Sequence, residues 1–290
     1  MARVVALLSL VITALVATVA DQPAAAIVQH TQLVPEVAAS GYPEILKTPA
    51  RPVGEGGNRE VFGTDLVGRH IVSGGDFLHI ELTDGTVVDQ EYFAAWNIDT
   101  KQPVCFGQLE FDNEVMAIEP GPTDTQVYVG GRFLNVTGSD GVKLFRSRVA
   151  LVDLADCSVD RSFVVTGATA KIDEIVYTGD RLFVGGDFKA IGGVEQPVLA
   201  ELDPVTGAVD TDFRLDFVDQ LAAPVSGMSV NDDATRSIMG GRCGDVSDTF
   251  GNVLDGSATT VIDITAEAPQ LTPHSWTPAN QPINKLQDIS

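Results

Sequence analysis

A glycine pair returns four times along this chain at almost constant spacing. It reads SGGDF at Gly74 and Gly75, VGGRF at Gly130 and Gly131, VGGDF at Gly185 and Gly186, and MGGRC at Gly240 and Gly241, in steps of 56, 55 and 55 residues. A fixed period of this size points to supersecondary units that are stacked or arranged radially, each burying its faces on its neighbours. Three further columns keep the same order. An apolar pair three apart comes first: Val115 and Ile118, Ile172 and Ile175, Val225 and Met228, Ile283 and Leu286, with a weaker copy from Val61. The glycine pair follows 13 to 15 residues later. Then comes an apolar run ending in aspartate, at Asp99, Asp153, Asp203 and Asp263, and finally an aromatic, at Phe106, Phe163, Phe213 and Trp276.

Each unit reads as short strands separated by turns. RLFVGGDF is β-branched and aromatic with glycines inside, which suggests a bulge or a close backbone approach. DPVTGAVD from Asp203 to Asp210 is turn chemistry, with Gly207 free to take positive φ. TDG at Thr83 to Gly85 and SDG at Ser139 to Gly141 are further hairpin turns. Beyond the N-terminal stretch no long amphipathic helix is legible. The expected fold is all-β: a β-propeller of four units of about 55 residues, with roughly four strands each, or an incomplete part of a larger ring. The units span about 59–113, 114–170, 171–223 and 224–282, and 283–290 opens a fifth. Because no glycine pair follows in that fifth copy, an incomplete chain is expected. The alternative is a last strand that closes the ring with the first.

These residues resemble a known family. VYVGGRF followed by LVDL, then RLFVGGDF and ELDPVTGAVDTDF, are similar to the delta-60 repeat of exported bacterial proteins, related in style to kelch-type propellers. The resemblance covers about 59–290. It implies the fold and an exported location, and it carries over no catalytic residue. Three positions depart from the pattern. Cys243 replaces the aromatic after the last glycine pair, Cys157 stands where the clearest unit has Gly207, and the turn after Asp99 is short.

The N-terminus reads as an export signal over 1–26. Arg3 is followed by an apolar run from Val4 to Ala20, and small residues at Ala24 to Ala26 suit cleavage, with cleavage after Ala20 as the alternative. No membrane insertion is expected after cleavage. Residues 27–58, interrupted by Pro35, Pro43, Pro49 and Pro52 and closed by GEGG, read as an extended leader. Net charge is −22, from 18 Lys and Arg against 40 Asp and Glu. That excludes nucleic acid and anionic membrane surfaces as partners and suits a soluble extracellular protein. An oxidising compartment permits one disulfide among Cys105, Cys157 and Cys243. Buried free thiols are the equally open reading. If a bridge exists, Cys105 with Cys157 is the expected pair, since both fall in the connection after the aspartate-ended strand of neighbouring units.

The residue after each glycine pair alternates in charge: Asp76, Arg132, Asp187, Arg242. The expectation is an ion-pair ladder between units that fixes their register, each exposed pair worth about 0–1 kcal/mol. The functional alternative is an arginine–carboxylate cluster gripping a ligand at the channel mouth. Asp112, Glu114, Asp173, Glu174, Asp232 and Asp233 are numerous enough to meet by chance, so general acid–base pairing is a secondary reading. GSDG at Gly138 and NDDAT at Asn231 are too short for a dedicated calcium loop, which leaves only weak calcium binding and no cofactor. His30, His70, His79 and His274 form no metal motif, and no nucleophile elbow or phosphate loop is present. GVKLFRSR from Gly141 to Arg148 reads as a strand with a solvated basic face, and the sequon at Asn135 as incidental.

The sequence therefore supports an exported, non-catalytic module that binds protein or glycan outside the cell. A polysaccharide lyase or hydrolase with carboxylates in a channel is the first alternative, and a structural spacer of a larger surface protein is the second. Oligomeric state is not legible.

Overall fold

A computed structural model describes residues 44–45 and 60–272, apart from 83, 218–224, 232, 242–244, 255–258 and 267. They all belong to one compact unit, Gly41–Ser290. They form strands and turns with no helix among them. The expected signal segment 1–26, most of the leader 27–58, Arg242, Cys243, Trp276 and the opening of a fifth unit at Ile283 lie outside the described residues.

Each repeat is built from two sheets rather than a single four-stranded one. The first contains β1 (Glu44–Ile45), β2 (Val61–Val67), β3 (His70–Gly75), β4 (His79–Glu81), β5 (Val87–Asp89), β6 (Phe93–Asn97) and β7 (Pro103–Val104). Its main sheet is an antiparallel meander, β2-β3-β6-β7, and the insert between β3 and β6 makes a minor sheet, β1-β4-β5. Two residues of the proline-broken stretch thus belong to the first unit. The second repeat copies the plan with β8 (Glu110–Phe111), β9 (Val115–Pro120), β10 (Gln126–Gly131), β11 (Asn135–Thr137), β12 (Lys143–Phe145), β13 (Val149–Asp153) and β14 (Ser158–Val159). The third has β15 (Ile172–Tyr177), β16 (Leu182–Gly186), β17 (Ala190–Ile191), β18 (Val194–Glu195) and β19 (Leu199–Leu202), with a single bridge from Leu202 to Val209 where its fourth main strand would run. The fourth has β20 (Leu215–Phe217), β21 (Val225–Val230), β22 (Arg236–Gly241), β23 (Val246–Asp248), β24 (Val253–Leu254), β25 (Thr259–Asp263) and β26 (Gln270–Leu271).

The middle strands β10 and β16 are nearly continuous apolar runs because both their faces are covered, and β3 and β22 follow them with one buried serine each, Ser73 and Ser237. Alternate residues of β10 enter different cores. Val127 and Val129 join a cluster with Val72, Phe93 and Ala95 of the first sheet, while Tyr128 joins one with Ile172, Leu182 and Val184 of the third. A third cluster joins Phe183 and Leu199 to Val225 and Met239. The cores therefore sit between consecutive main sheets. The leading strands β2, β9, β15 and β21 pack in series, each on the next, and no comparable packing joins β21 to β2 among the described residues.

The glycine pair is the joint that makes this spacing work. A Cβ on the first glycine would collide with the leading strand of the following unit: Gly74 with Val115 Cγ1 at 2.3 Å, Gly130 with Ile172 Cγ2 at 2.9 Å, Gly185 with Val225 Cγ1 at 2.9 Å. The first apolar column is thus the knob, and the preceding glycine its socket. A Cβ on the second glycine would strike its own unit's backbone, 2.1 Å from Glu60 O at Gly75, and 2.2 Å from Glu114 O and Lys171 O at Gly131 and Gly186. The pairing register shifts at this point in all four units, the bulge expected from glycines inside a strand.

Two columns need correction. The first glycine of each pair lies opposite Phe93, Val149, Leu199 and Thr259, and the strand-ending acceptor comes four residues later. In the first unit that places Asn97 in the column, not Asp99. Asn97 Oδ1 accepts from the N–H groups of Asp99 and Thr100, as Asp203 Oδ1 does from Val205 and Thr206 and Asp263 Oδ1 from Thr265. The turn after Asp99 looks short in the sequence because the column belongs two residues earlier. Likewise the buried residue that matches Phe163 and Phe213 is Leu109, while Phe106 packs in a separate cluster on the outer side of the first sheet.

Candidate functional site

The charged residue after each glycine pair finds its partner inside its own unit. The bulge sets it against the residue that opens the leading strand: the N–H of Asp76, Arg132 and Asp187 donates to the carbonyl of Glu60, Glu114 and Lys171. Side chains follow the backbone. Arg132 Nε lies 2.9 Å from Glu114 Oε2, and Lys171 Nζ lies 3.5 Å from Asp187 Oδ2. Asp76 Oδ1 accepts the N–H of Glu60. In the second and third units the charge is matched by its opposite at the strand start, Glu114 against Arg132 and Lys171 against Asp187, whereas in the first Asp76 meets Glu60 through the backbone of Glu60. The sequence-based ladder between units is replaced by pairing within each unit at these three positions, and Arg242 lies outside the described residues.

Arg132 and Asp187 nevertheless meet the same open groove, about 450 Å³, at the junction of the second and third units. Arg148 and Lys171 bring it two more cations, and Asp112, Asn113 and Thr169 add polar edges. Arg148 precedes β13 with φ 78°, a left-handed position that recurs as Tyr92 (64°) and Val198 (73°). In all three units its carbonyl accepts the N–H of the second glycine. Among the described residues the Arg148 guanidinium is held by carbonyls rather than by a carboxylate, with Nε 3.1 Å from Ala168 O and Nη1 3.0 Å from Arg132 O. Burial lowers its pKa, and the nearby positive charge of Arg132 lowers it further.

The carboxylates around the groove are largely committed. Burial alone would raise the Asp112 carboxyl, but the Asn135 side chain, the Asn135 and Leu134 N–H groups and Lys143 hold it below the usual range. Burial raises Asp173, opposed by Lys171, whose Nζ is 2.6 Å from Asp173 Oδ2. Asp233 is drawn low by Thr235 in an exposed turn, and Asp232 lies outside the described residues.

Among the described residues the most perturbed carboxyl is elsewhere, on the leading strands. Glu119 of β9 is pushed up to about 8, chiefly by burial and then by the negative charges of Asp65 and Glu174, while the Tyr177 N–H opposes the rise. Its Oε1 accepts that N–H at 2.8 Å, which joins the second unit to the third. Asp65 of β2 is also raised by burial. Nearby, Tyr128 Oη donates to Pro204 O at 2.7 Å across the same interface. No group of three or more His, Cys, Asp or Glu able to hold a metal ion occurs among the described residues.

Cys105 and Cys157 form a disulfide with Cα atoms 5.4 Å apart, joining the first unit to the second. Both take left-handed φ, 61° and 59°, and Cys157 sits in the turn where Gly207 has 74°. Sequence reasoning missed another recurring group. Gln90, Arg146 and Gln196 stand two residues before the left-handed position and are buried. Each side chain donates to a carbonyl of the segment beyond the main sheet: Leu109, Asp160 and Phe213. Two glutamines and an arginine, one in each of three units, carry no visible period in a sequence rich in polar residues, so only their shared burial betrays them.

No family model matches this chain, and no curated protein matches it. Among solved structures it is similar to one described as the crystal structure of RRP9 WD40 repeats, at 9% identity and a TM-score of 0.42, over 74% of this chain. The chain spans about 63% of that structure's length. The architecture therefore rests on the sheets themselves.

Proposed function

We propose that this chain is an exported, non-catalytic repeat module of the propeller type, similar to delta-60 repeats, that binds a protein or glycan outside the cell. The groove between the second and third units carries the binding reading. It gathers Arg132, Arg148 and Lys171 at one place on a chain of net charge −22, on sheets fixed by paired glycine joints. Rigid sheets that present variable edges suit recognition. Export is supported by the bridge between Cys105 and Cys157, since such bonds persist in oxidising compartments. The non-catalytic reading is supported by the way Asp112, Asp203, Asp233 and Asp263 spend their oxygens on turn N–H groups and side chains.

The test is to offer the purified full chain arrays of extracellular glycans and proteins while assaying the same glycans for chain cleavage. Saturable binding without product is expected. Product release at a steady rate would replace this reading with the lyase or hydrolase.

A further inference from the structure

The groove at the junction of the second and third units has the chemistry of a selective site. Arg132 commits Nε to Glu114, yet its side chain is 48% exposed. Arg148 is fixed by two backbone carbonyls, Ala168 O and Arg132 O, and both Arg148 and Arg132 line the groove. Two like charges held together in a partly desolvated place repel, and an anion between them relieves both costs at once. Burial first, and then the charge of Arg132, lowers the pKa of Arg148. Paired guanidinium groups match a carboxylate better than any neutral group, because their N–H groups engage both its oxygens.

The rest of the lining says what carries that carboxylate. Only Leu134 and Ala170 are apolar, whereas Asp187 and Asn113 offer acceptors and donors around the same opening, the Thr169 hydroxyl being spent on Lys189 and Ala190. A protein partner would want a buried aromatic or aliphatic anchor at the centre, and these walls offer none. A volume of about 450 Å³ is the scale of a small-molecule site rather than of a flat protein interface.

We propose that this groove binds an acidic sugar of the uronic acid class, with Arg132 and Arg148 on the carboxylate and Asp187 and Asn113 taking ring hydroxyls. This deepens the module reading above and depends on it. The negative charge of the whole chain disfavours approach of a polyanion, so the site selects by local geometry rather than by steering.

The experiment is calorimetric titration of the full chain with tetragalacturonic acid and with the same tetramer after its carboxyl groups are reduced to alcohols. The acid should bind, and the reduced tetramer should bind at least tenfold more weakly. Arg148→Asn, chosen because asparagine accepts left-handed φ, and Arg132→Gln should each lose at least tenfold in affinity. Arg161→Gln, which removes an exposed pair with Asp140 away from the groove, should lose nothing. Thermal unfolding of each variant separates lost binding from lost fold, and Arg132→Gln carries the test if Arg148→Asn does not fold. Equal binding of both tetramers, unchanged affinity in the folded arginine variants, or no binding of the acid overturns the proposal. If the arrays then yield a different glycan or a protein ligand, including one that recognises the groove through acidic side chains, the module reading survives and the uronate proposal falls. If they yield nothing, both fall.

Discussion

At the scale of the residue, Glu119 should dominate the pH dependence of stability. Its carboxyl is pushed from an ordinary 4.5 to about 8 in the folded chain, so folding favours the protonated form. Below the unfolded value both states hold the proton and this group costs nothing. Between the two values the folded chain must keep a proton that the unfolded chain has released, and stability falls until pH passes about 8. Glu119→Gln keeps an acceptor for the Tyr177 N–H and cannot ionise. It should match the parent at about pH 3 and exceed it above pH 8 by on the order of 5 kcal/mol, since the carboxyl rises from 4.5 to about 8 and each tenfold change in an acid's ionisation constant is worth roughly 1.4 kcal/mol. Denaturant unfolding of both proteins across that range checks it, and parallel curves would exclude a perturbed Glu119. A second residue-scale contrast concerns ion pairs. Arg181 holds buried Glu201 through two nitrogens, donates to Ile264 O in the fourth unit, and lies over Phe183 at 4.9 Å. Glu201→Gln should cost about 3 kcal/mol, because it strands a mostly buried cation. Asp99→Asn, which breaks the exposed pair with Arg69, should leave the unfolding midpoint unchanged.

At the scale of the element, the knob and socket make a testable joint. Gly74→Ala would set a Cβ 2.3 Å from Val115 Cγ1 and should cost about 1–3 kcal/mol through overpacking. Val115→Ala should also destabilise, by opening a hole at a fully buried site. Together they should cost less than their sum, by about 0.5–3 kcal/mol, because the methyl groups removed are those the new Cβ strikes. Strict additivity in equilibrium unfolding would mean the two positions do not touch. This joint also explains how much of the fold was legible. The glycine pair and the first apolar column recur because one packs on the other, so a sequence period records a contact. The minor sheets were legible only through two of their turns, at Gly85 between β4 and β5 and at Gly141 between β11 and β12, since strands of two or three residues with mixed exposure leave no alternation to count. The slip from Asn97 to Asp99 arose because asparagine and aspartate accept turn N–H groups alike, so chemistry alone could not choose the register. The groove was legible only in part. Arg132 and Asp187 stood in a visible column, but Arg148 did not, because left-handed φ is a backbone property that Tyr92, Arg148 and Val198 share without sharing a side-chain type.

At the scale of the whole molecule, the repeat distributes cohesion over successive interfaces, and each interface has its own fastening. The second and third units are tied by Tyr128 to Pro204 and by Glu119 to Tyr177, and the third and fourth by Arg181 to Ile264. The first and second are tied covalently through Cys105 and Cys157, 52 residues apart. In a repeat array, stability is close to a sum of unit and interface contributions, so the weakest interface opens first. Closing a loop of that length should stabilise the oxidised chain by about 4 kcal/mol through the restricted unfolded state. Reduction, or the Cys105→Ser/Cys157→Ser pair, should therefore lower the unfolding midpoint and convert one cooperative transition into two, with the first unit melting ahead of the rest. Alkylation before reduction should mark a single cysteine of the three. The decisive observation is hydrogen exchange on the reduced protein. Protection lost in β2, β3 and β6 but kept in β15, β16 and β19 would show the covalent tie substituting for side-chain fastenings found at the other interfaces, and uniform loss across all the strands would show instead that the units fold as one cooperative body.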